Sequence, residues 1–363
     1  MTIHDIAISF VPMLGAKGAA HLVECFGSAE AVYSASAGEL VERAELNQHT
    51  ARAIAAGAGM REAEREMAYC RRNGITPIGV SDESYPPLMR LTPDHPPVLY
   101  ACGHVEALRR QAIAFVGTRN MSAYGQAMCG TLIGGLARLV PDVVIVSGLA
   151  FGIDAAAHRA ALEAGLTTVA FIASALPQVT PPAHGRLAAE IIAAGGAIVS
   201  ELSSQSPQNG RLYIPRNRLI AAMSAATVVV ESPEAGGSLT TAAFADGYSR
   251  TVMAVPGRAT DMRSRGTNAL IRNRKAALVA SAEDMAAELM WDLGTPPAEP
   301  QREALPLTDE EQRLLALFGD EPLPTEALLA ASGLEAGELS LLLMNLELSG
   351  VVRRLPGKRY VKI

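Results

Sequence analysis

Residues 112–118 read AIAFVGT and residues 142–148 read DVVIVSG, and these two stretches decide the fold class. Each is a continuous apolar run of strand length, which is typical of a strand covered on both faces of a sheet. Helical patterns follow over residues 123–139 and 153–164. The alternation continues with TTVAFIA (167–173), AIVS (197–200), ATVVVES (226–232) and TVMAVPG (251–257). Residues 111 to 280 are therefore predicted to form an α/β domain with a doubly wound parallel sheet.

The chain before this domain has a different pattern. Residues 1–75 are predicted to form short helices broken by glycine, and VPMLGAKGAAHLVECFGS (11–28) places an apolar, glycine-containing hairpin between two of them. This spacing is typical of a helix-hairpin-helix or SAM-like bundle. Its glycines would let backbone N–H groups approach a phosphate, and a small packing module is the alternative.

The chain after this domain begins with a predicted linker, LGTPPAEPQREALP (293–306), which is rich in proline and polar residues. Residues 307–363 then show three helical patterns and two strand-like pieces around a Pro-Gly pair. Three helices and a terminal hairpin indicate a winged helix, and an unrelated helical cap is the alternative. The predicted domains are thus residues 1–75, 76–292 and 307–363.

The composition excludes several classes of protein. The 363 residues are 49% hydrophobic and carry a formal net charge of −6. Four scattered cysteines form no CxxC pair, so neither a zinc site nor a disulfide framework is expected: Cys25, Cys70, Cys102 and Cys129. Without a basic leader or an apolar run of about 18 residues, we expect a cytoplasmic protein. Residues 258–275 hold six basic side chains and one acid, which marks the region where a polyanion would bind.

Two strand-to-helix loops carry the first candidate binding residues, because ligands of such sheets bind beyond the carboxyl ends of the strands. Arg119 directly follows the strand that ends in Gly117-Thr118. In the next loop, Gly148 and Gly152 allow a ligand to approach the backbone closely. Asp154, in the first turn of the following helix, is interpreted as a capping residue in preference to a ligand contact.

Two further helix starts favour negative charge. YIPRNRLIAAM (213–223) places Arg216, Asn217 and Arg218 at a helix start, where exposed N–H groups carry partial positive charge. In VVVESPEAGGSLTTAAFA (228–245), Gly237 and Ser238 lead into a helix predicted to begin near residues 239–240. Cations at such positions are favourable when an anion binds between them, and phosphate is the natural ligand.

Catalytic motifs are missing from the sequence. It contains neither a Walker sequence GxxxxGK[ST] nor a GxSxG elbow. His158 lies inside a helical pattern and is interpreted as a packing residue. The sequence therefore predicts a binding protein that is not an enzyme and has no cofactor or metal.

Seven ordered motifs resemble the DNA-processing protein A (DprA/Smf) family: VGTR (116–119), SGLAFGIDAAAH (147–158), SE (200–201), RNRLIAAMS (216–224), VVESPEAGGSLTTAAFA (229–245), VPG (255–257) and GTNALI (266–271). The resemblance implies a Rossmann-like domain flanked by SAM-like and winged-helix modules. It also implies a non-enzymatic protein that binds single-stranded DNA in natural transformation, protects incoming DNA and loads the RecA recombinase. Family members form homodimers through the Rossmann-like domain.

Motif by motif, the resemblance implies a phosphate pocket formed by Arg119, Gly148, Gly152, Arg216, Asn217, Arg218, Gly237, Ser238, Thr240 and Asn268. After the last motif, this chain has RNRKAA (272–277) where the family usually has Gly-Ala. The added charges would extend the DNA track: Arg272, Arg274 and Lys275.

Two other functions compete with this interpretation. A nucleotide-processing Rossmann enzyme, such as a nucleoside-monophosphate phosphoribohydrolase, would also hold phosphate on glycine-rich helix starts. Such enzymes typically show PGGxGTxxE, and residues 232–245 lack the glutamate after the threonine pair. A regulator that binds double-stranded DNA through the winged helix is the other alternative.

The charges of the predicted winged helix argue against that regulator. The predicted recognition helix, residues 334–349, carries Glu335, Glu338 and Glu347 and no lysine or arginine, which disfavours a major groove. The predicted wing is basic: Arg353, Arg354, Lys358, Arg359 and Lys362. We therefore expect mainly protein contacts from this module, with a weak phosphate role for the wing.

Overall fold

The structure is a computed structural model that describes residues 1–206, 213–291, 307–319, 322–349, 351–355, 357 and 359–362. The chain divides into two compact units, Met1–Leu293 and Gly294–Ile363. The predicted linker at 293–306 and the wing residue Lys358 lie outside the described residues. We retain the predicted boundary between residues 75 and 76 as a proposed division within the first unit.

The first unit begins with short helices, as the glycine-broken pattern predicts. They are α1 (Ile3–Ser9), α2 (Gly15–Phe26), α3 (Ala29–Ser34), α4 (Ala37–Ala44), α5 (Gln48–Ala55) and α6 (Met60–Asn73). The bundle has its own apolar core around Ile8, Leu22 and Leu40. Ile6 of α1 and Ala63 of α6 instead belong to a core that includes sheet residues, so the bundle is packed onto the sheet.

A nine-stranded mixed sheet follows within the described part of this unit. Its strands are β1 (Thr76–Gly79), β2 (Val98–Gly103), β3 (Ala112–Val116), β4 (Val144–Ser147), β5 (Thr168–Phe171), β6 (Ala197–Ser200), β7 (Ala226–Val229), β8 (Thr251–Ala254) and β9 (Ala277–Leu278). The order across the sheet is β1-β2-β6-β5-β4-β3-β7-β8-β9, and all neighbours from β6 to β9 are parallel. The predicted doubly wound parallel sheet is therefore confirmed, with a strand in each of the six predicted runs.

Three strands were not predicted. β1 and β2 form an antiparallel edge, with β2 antiparallel to β6. β1 contains Pro77, which is typical of an edge strand because proline cannot donate to a neighbouring strand. β9 spans two residues, which is too short for a hydrophobic period to be recognised.

Helices cover both faces of the sheet. They are α7 (Pro87–Arg90), α8 (Ala123–Leu139), α9 (Ile153–Glu163), α10 (Gly185–Ala193), α11 (Tyr213–Met223), α12 (Gly237–Gly247), α13 (Arg265–Arg272) and α14 (Ala282–Glu288). Ala112 and Ala114 of β3 share a core with α11 and α12, whereas Ile113 and Phe115 share one with α8 and α9. This burial on both faces explains why the strands are continuously apolar; each large side chain contributes about 1.5–3 kcal/mol.

The strand order reverses at β3. The chain passes from β3 to β4 on one side, and β7 later pairs with the other side of β3. The loops that follow β3 and β7 diverge at this switch point and leave a crevice at the carboxyl ends of the strands.

The second unit is the predicted winged helix. It contains α15 (Asp309–Leu315), α16 (Thr325–Ser332) and α17 (Ala336–Leu348), together with β10 (Leu323–Pro324), β11 (Val352–Leu355) and β12 (Arg359–Lys362). The strands form an antiparallel sheet in the order β10-β12-β11. Leu314, Leu328 and Leu343, one from each helix, meet in its core.

No single helix in the described residues is long and apolar enough to cross a membrane. The helices at Thr325–Ser332 and Ala336–Glu347 reach that length and apolar composition only when taken together, and they are bent by 112° at the break between them.

Candidate nucleic-acid interface

A cleft of about 250 Å³ lies at the switch point. Its walls come from the loops after β3, β4 and β7 and from the start of α11. Of the residues predicted from the sequence, these line it: Arg119, Arg216, Asn217, Gly237 and Ser238. The structure thus brings five of the predicted positions together in the place expected for a ligand of an open α/β sheet.

The loop after β3 is held by backbone hydrogen bonds on both sides. The N–H of Thr118 donates to the carbonyl of Glu231 at 2.8 Å, and the carbonyl of Thr118 accepts from the N–H of Ile153 at 3.2 Å. The next residue, Arg119, is exposed, and its guanidinium lies 4.9 Å from the centre of the Tyr213 ring. This cation–π contact orients the charge without neutralising it, and no described carboxylate forms an ion pair with Arg119.

The start of α8 is occupied by a side chain of the protein itself. Glu231, which is fully buried at the end of β7, accepts hydrogen bonds from the backbone N–H of Ser122 at 2.8 Å and from its hydroxyl. A Cβ added to Gly125 in the first turn would lie 2.3 Å from the same carboxylate. Nucleotide-binding Rossmann proteins hold phosphate at the equivalent helix start, and here Glu231 fills that position.

The start of α9 is also used internally. The carboxylate of Asp154 accepts from the N–H of Ala150 at 3.3 Å, and the N–H of Ile153 is paired with Thr118. Burial raises the pKa of Asp154, and the nearby Arg216 charge opposes that rise. Asp154 therefore stabilises the loop before the helix, and no described side chain caps α9 itself, so the interpretation of Asp154 as a helix cap is wrong. Gly152, at φ 78° and ψ −128°, forms the turn, and a Cβ there would lie within 2.6 Å of backbone atoms of residues 118 and 119.

Arg216 forms the floor of the cleft and is 4% exposed. One of its terminal nitrogens, Nη1, donates to the carbonyl of Phe171 at 2.6 Å. Gly148 makes room for it, because a Cβ at that position would lie 1.7 Å from Nη1. The sequence predicted a direct phosphate contact, whereas the structure gives this guanidinium a buried protein partner.

Arg218 points away from the cleft into an ion-pair network. It pairs with Glu201 and, at 3.8 Å, with Asp94, and the hydroxyl of Tyr248 donates to Asp94 at 2.6 Å. The Arg218 side chain is 11% exposed. Burial raises the pKa of Glu201, while Arg218 opposes the rise. The structure therefore does not bring Arg218 to the other predicted phosphate residues.

The start of α12 is open. The helix begins at Gly237, two residues earlier than predicted, and no described side chain caps it. The hydroxyl of Ser238 donates to the hydroxyl of Ser232 at 2.9 Å, and the Asn217 amide is 3.4 Å from the carbonyl of Gly237. The cleft is lined by Thr241, and the predicted Thr240 lies outside the lining.

The remaining predicted residues lie around α13. The Asn268 amide donates to the carbonyl of Gly257 and accepts from its N–H, both at 3.1 Å, so it holds the loop after β8. Arg272, Arg274 and Lys275 are exposed at the end of the helix, outside the cleft.

Three residues beside the cleft were not singled out from the sequence. Tyr213 stacks on Arg119, Glu231 fills the start of α8, and Arg263 donates to the carbonyl of Asn120 at 3.2 Å. One sequence signal could have identified Glu231: it is a charged residue that directly follows the apolar run of β7. Arg263 left only its place in the basic stretch 258–275, and Tyr213 left no signal, because only the fold brings these two residues to residues 119 and 120.

His158 is a buried packing residue of α9, as predicted. Its Nδ1 lies 2.7 Å from the Thr168 hydroxyl, which itself donates to the carbonyl of Ile145 at 2.7 Å. Because the hydroxyl proton is already used, Nδ1 must carry the proton and donate. Burial, aided by the charge of Arg216, lowers the pKa of His158 to about 3.

Replacing His158 by asparagine is expected to flatten the acid side of the stability profile. The unfolded chain binds a proton on this histidine below its ordinary pKa of 6.5, whereas the folded chain does so only near 3. Stability is therefore lost as pH falls through this window, by about 2–3 kcal/mol down to about pH 4. The raised pKa values of Asp154 and Glu201 act in the opposite direction in both proteins. Urea unfolding of both proteins across this window measures the difference, and parallel profiles would contradict the assignment.

The sheet order and the position of the cleft define the class: a Rossmann-like protein with a ligand cleft at the switch point of its sheet. The model of DNA recombination-mediator protein A matches residues 76–290, and the model of the DprA winged helix domain matches residues 296–358. The chain therefore belongs to the DprA/Smf family of DNA-processing proteins, which confirms the resemblance.

Individual relatives agree with this assignment. Protein Smf of Escherichia coli (strain K12) is 33% identical over an alignment of 331 positions that covers 85% of each chain. The X-ray structure of DNA processing protein A from Streptococcus pneumoniae matches with a TM-score of 0.68 and 28% identity, covering 79% of this chain and 98% of that chain. A structure describing the single-stranded DNA binding mode of the Helicobacter pylori protein matches with a TM-score of 0.53 and 26% identity, covering 61% and 97%. These names describe DNA processing and recombination mediation, not a catalysed reaction.

Proposed function

We propose that this chain binds single-stranded DNA through its phosphates, independently of base sequence, at the cleft between β3 and β7. The observation that carries the proposal is the open start of α12 beside the unpaired charge of Arg119. Among the described residues, the Glu231 carboxylate serves the start of α8 and the first N–H of α9 donates to Thr118, whereas no side chain caps the start of α12. A helix start and a guanidinium together favour phosphate.

The predicted residues divide into two groups under this proposal. Arg119, Asn217, Gly237 and Ser238 contact phosphate, with Thr240 close by on α12. A second group shapes or supports the site: Gly148, Gly152, Arg216, Arg218 and Asn268. The exposed Arg272, Arg274 and Lys275 extend the track beyond the cleft.

Equilibrium binding of fluorescein-labelled DNA tests this function. Oligo-dT and a mixed-sequence strand of equal length are expected to bind with similar affinity, and the duplex of the mixed strand more weakly. Log affinity should fall with log salt by roughly 0.7 for each phosphate neutralised. A strong preference for one base or for duplex would contradict the proposal. Release of free base from nucleoside monophosphates would favour the nucleotide-processing enzyme instead.

We also propose that the protein protects incoming DNA and loads the RecA recombinase in natural transformation, as a homodimer formed through the Rossmann-like domain. Family membership supports this role. Purified RecA should start strand exchange on DNA coated with single-strand binding protein only when this protein is added. Equal exchange rates with and without it would contradict the loading role.

The winged helix is proposed to make mainly protein contacts. Leu341 and Met344 of α17 are 58% and 53% exposed, and Glu338 and Glu347 lie on the same helix. This surface combines apolar and acidic groups, and its carboxylates repel the phosphates of a groove. The basic residues lie instead on the wing strands, at Arg353, Arg354, Arg359 and Lys362.

A further inference from the structure

We propose that Glu231 is a positioning residue for the single-strand site: it fixes the loop 118–122 so that Arg119 faces the cleft. The inference rests on the proposed function, because it assigns the means by which the main phosphate-binding charge is held. Glu231 itself lies outside the cleft lining and touches no ligand position.

Glu231 holds the loop at both ends. Its carbonyl accepts from Thr118, one residue before Arg119, at 2.8 Å. Its carboxylate accepts from the N–H of Ser122, three residues after Arg119, at 2.8 Å, and from the Ser122 hydroxyl. One residue just beyond a central strand thereby fixes both sides of the exposed arginine.

Charge explains why this residue is a carboxylate. The first N–H groups of α8 carry partial positive charge and need an acceptor, and an ionised carboxylate accepts more strongly than a neutral group. The Ser122 hydroxyl also accepts from the N–H of Gly125 at 3.1 Å, so the helix cap and the loop are fixed together. Gly125 has no side chain to displace the carboxylate, since its Cβ would lie 2.6 Å from the Glu231 carboxyl carbon.

The loop needs this support because Arg119 must remain exposed. Its own contacts are the Tyr213 ring at 4.9 Å and the fixed backbone around it. If residues 120–122 were released, the guanidinium would sample many orientations, and ordering it on a phosphate would cost affinity.

A double-mutant cycle with fluorescein-labelled oligo-dT tests this role. The variants are Glu231→Gln, Arg119→Ala and the double variant, each checked by thermal unfolding. Glu231→Gln preserves shape and removes charge, and it should weaken binding about tenfold in the wild-type background. In the Arg119→Ala background it should change binding by no more than about twofold, because the group it positions is gone.

A second pair of variants separates loss of positioning from misfolding. Ser122→Ala breaks the same contact from the other side, and it should show the same dependence on Arg119. Ser36→Ala removes an equivalent cap on α4, where Ser36 accepts from the N–H of Glu39, and it should leave DNA binding unchanged. Wild-type affinity of folded Glu231→Gln, or equal losses in both backgrounds, would overturn the positioning role. Wild-type affinity of Arg119→Ala would instead overturn the proposed function, and this inference with it.

Discussion

Replacing Arg119 by glutamate is expected to weaken binding of single-stranded DNA by more than about tenfold while the chain remains folded. The change removes a charge-assisted contact and places a negative charge beside the phosphate. Arg119 is exposed and forms no ion pair with a described residue, so its loss leaves no buried charge behind. Anisotropy with oligo-dT measures the affinity, and the salt slope should fall by roughly 0.7.

Arg138→Glu provides the matched control. Arg138 is also exposed, and it lies in the last turn of α8, at the end of the helix opposite the cleft. Its guanidinium donates to the carbonyl of Gly134, one turn earlier, at 3.1 Å. The two substitutions change net charge equally, so equal losses of affinity would show that general charge, and not this site, governs binding.

Replacing Gly152 by alanine is expected to destabilise the protein by about 3 kcal/mol or more. The backbone there, at φ 78° and ψ −128°, is a conformation that residues with a Cβ rarely adopt, which costs about 1–3 kcal/mol. The new Cβ would also lie 2.2 Å from the carbonyl oxygen of Thr118 and 2.6 Å from that of Arg119. Both are backbone atoms, so the loop that carries Arg119 must move.

Gly165→Ala separates these two effects. Gly165 follows the other end of α9 at φ 72°, and a Cβ there would meet no atom within 4 Å. It should cost about 1–2 kcal/mol, from backbone strain alone. Urea unfolding gives the free energies of unfolding of both variants. Oligo-dT binding should weaken in folded Gly152→Ala and should not weaken in Gly165→Ala. Equal destabilisation by the two substitutions would show that the contact with residues 118 and 119 contributes nothing.

The sequence alone predicted most of the sheet because burial on both faces leaves a local signal. The runs at β3 to β8 are mostly apolar, and α8 has the predicted bounds, 123–139. The edge strands β1 and β2 were missed because their pairing partners are set by the fold and not by a local period. The winged helix could be predicted because its helices and the strands of its hairpin each have a local sequence pattern.

The site was predicted as a set of positions, but not the partner of each charge. A guanidinium at a helix start is interpreted as a surface ligand, and only the structure shows Arg216 buried against Phe171 and Arg218 paired with Glu201. Gly148 was an indirect indication of the buried Arg216, because the missing Cβ leaves room for a large side chain beside it. These partners lie on other segments of the chain, so no spacing within one segment reveals them.

The network around Arg218 has a consequence for the order of folding. The hydroxyl of Tyr248 reaches Asp94 across 154 positions of sequence, and Arg218 joins both to Glu201. Contacts of such long range can form only after the loops between them have closed, and the entropy of loop closure is lost before the contacts stabilise the chain. The network should therefore form after the main folding barrier, so weakening it should accelerate unfolding and leave the refolding rate nearly unchanged. These four side chains therefore slow unfolding, and they set the lifetime of the folded sheet.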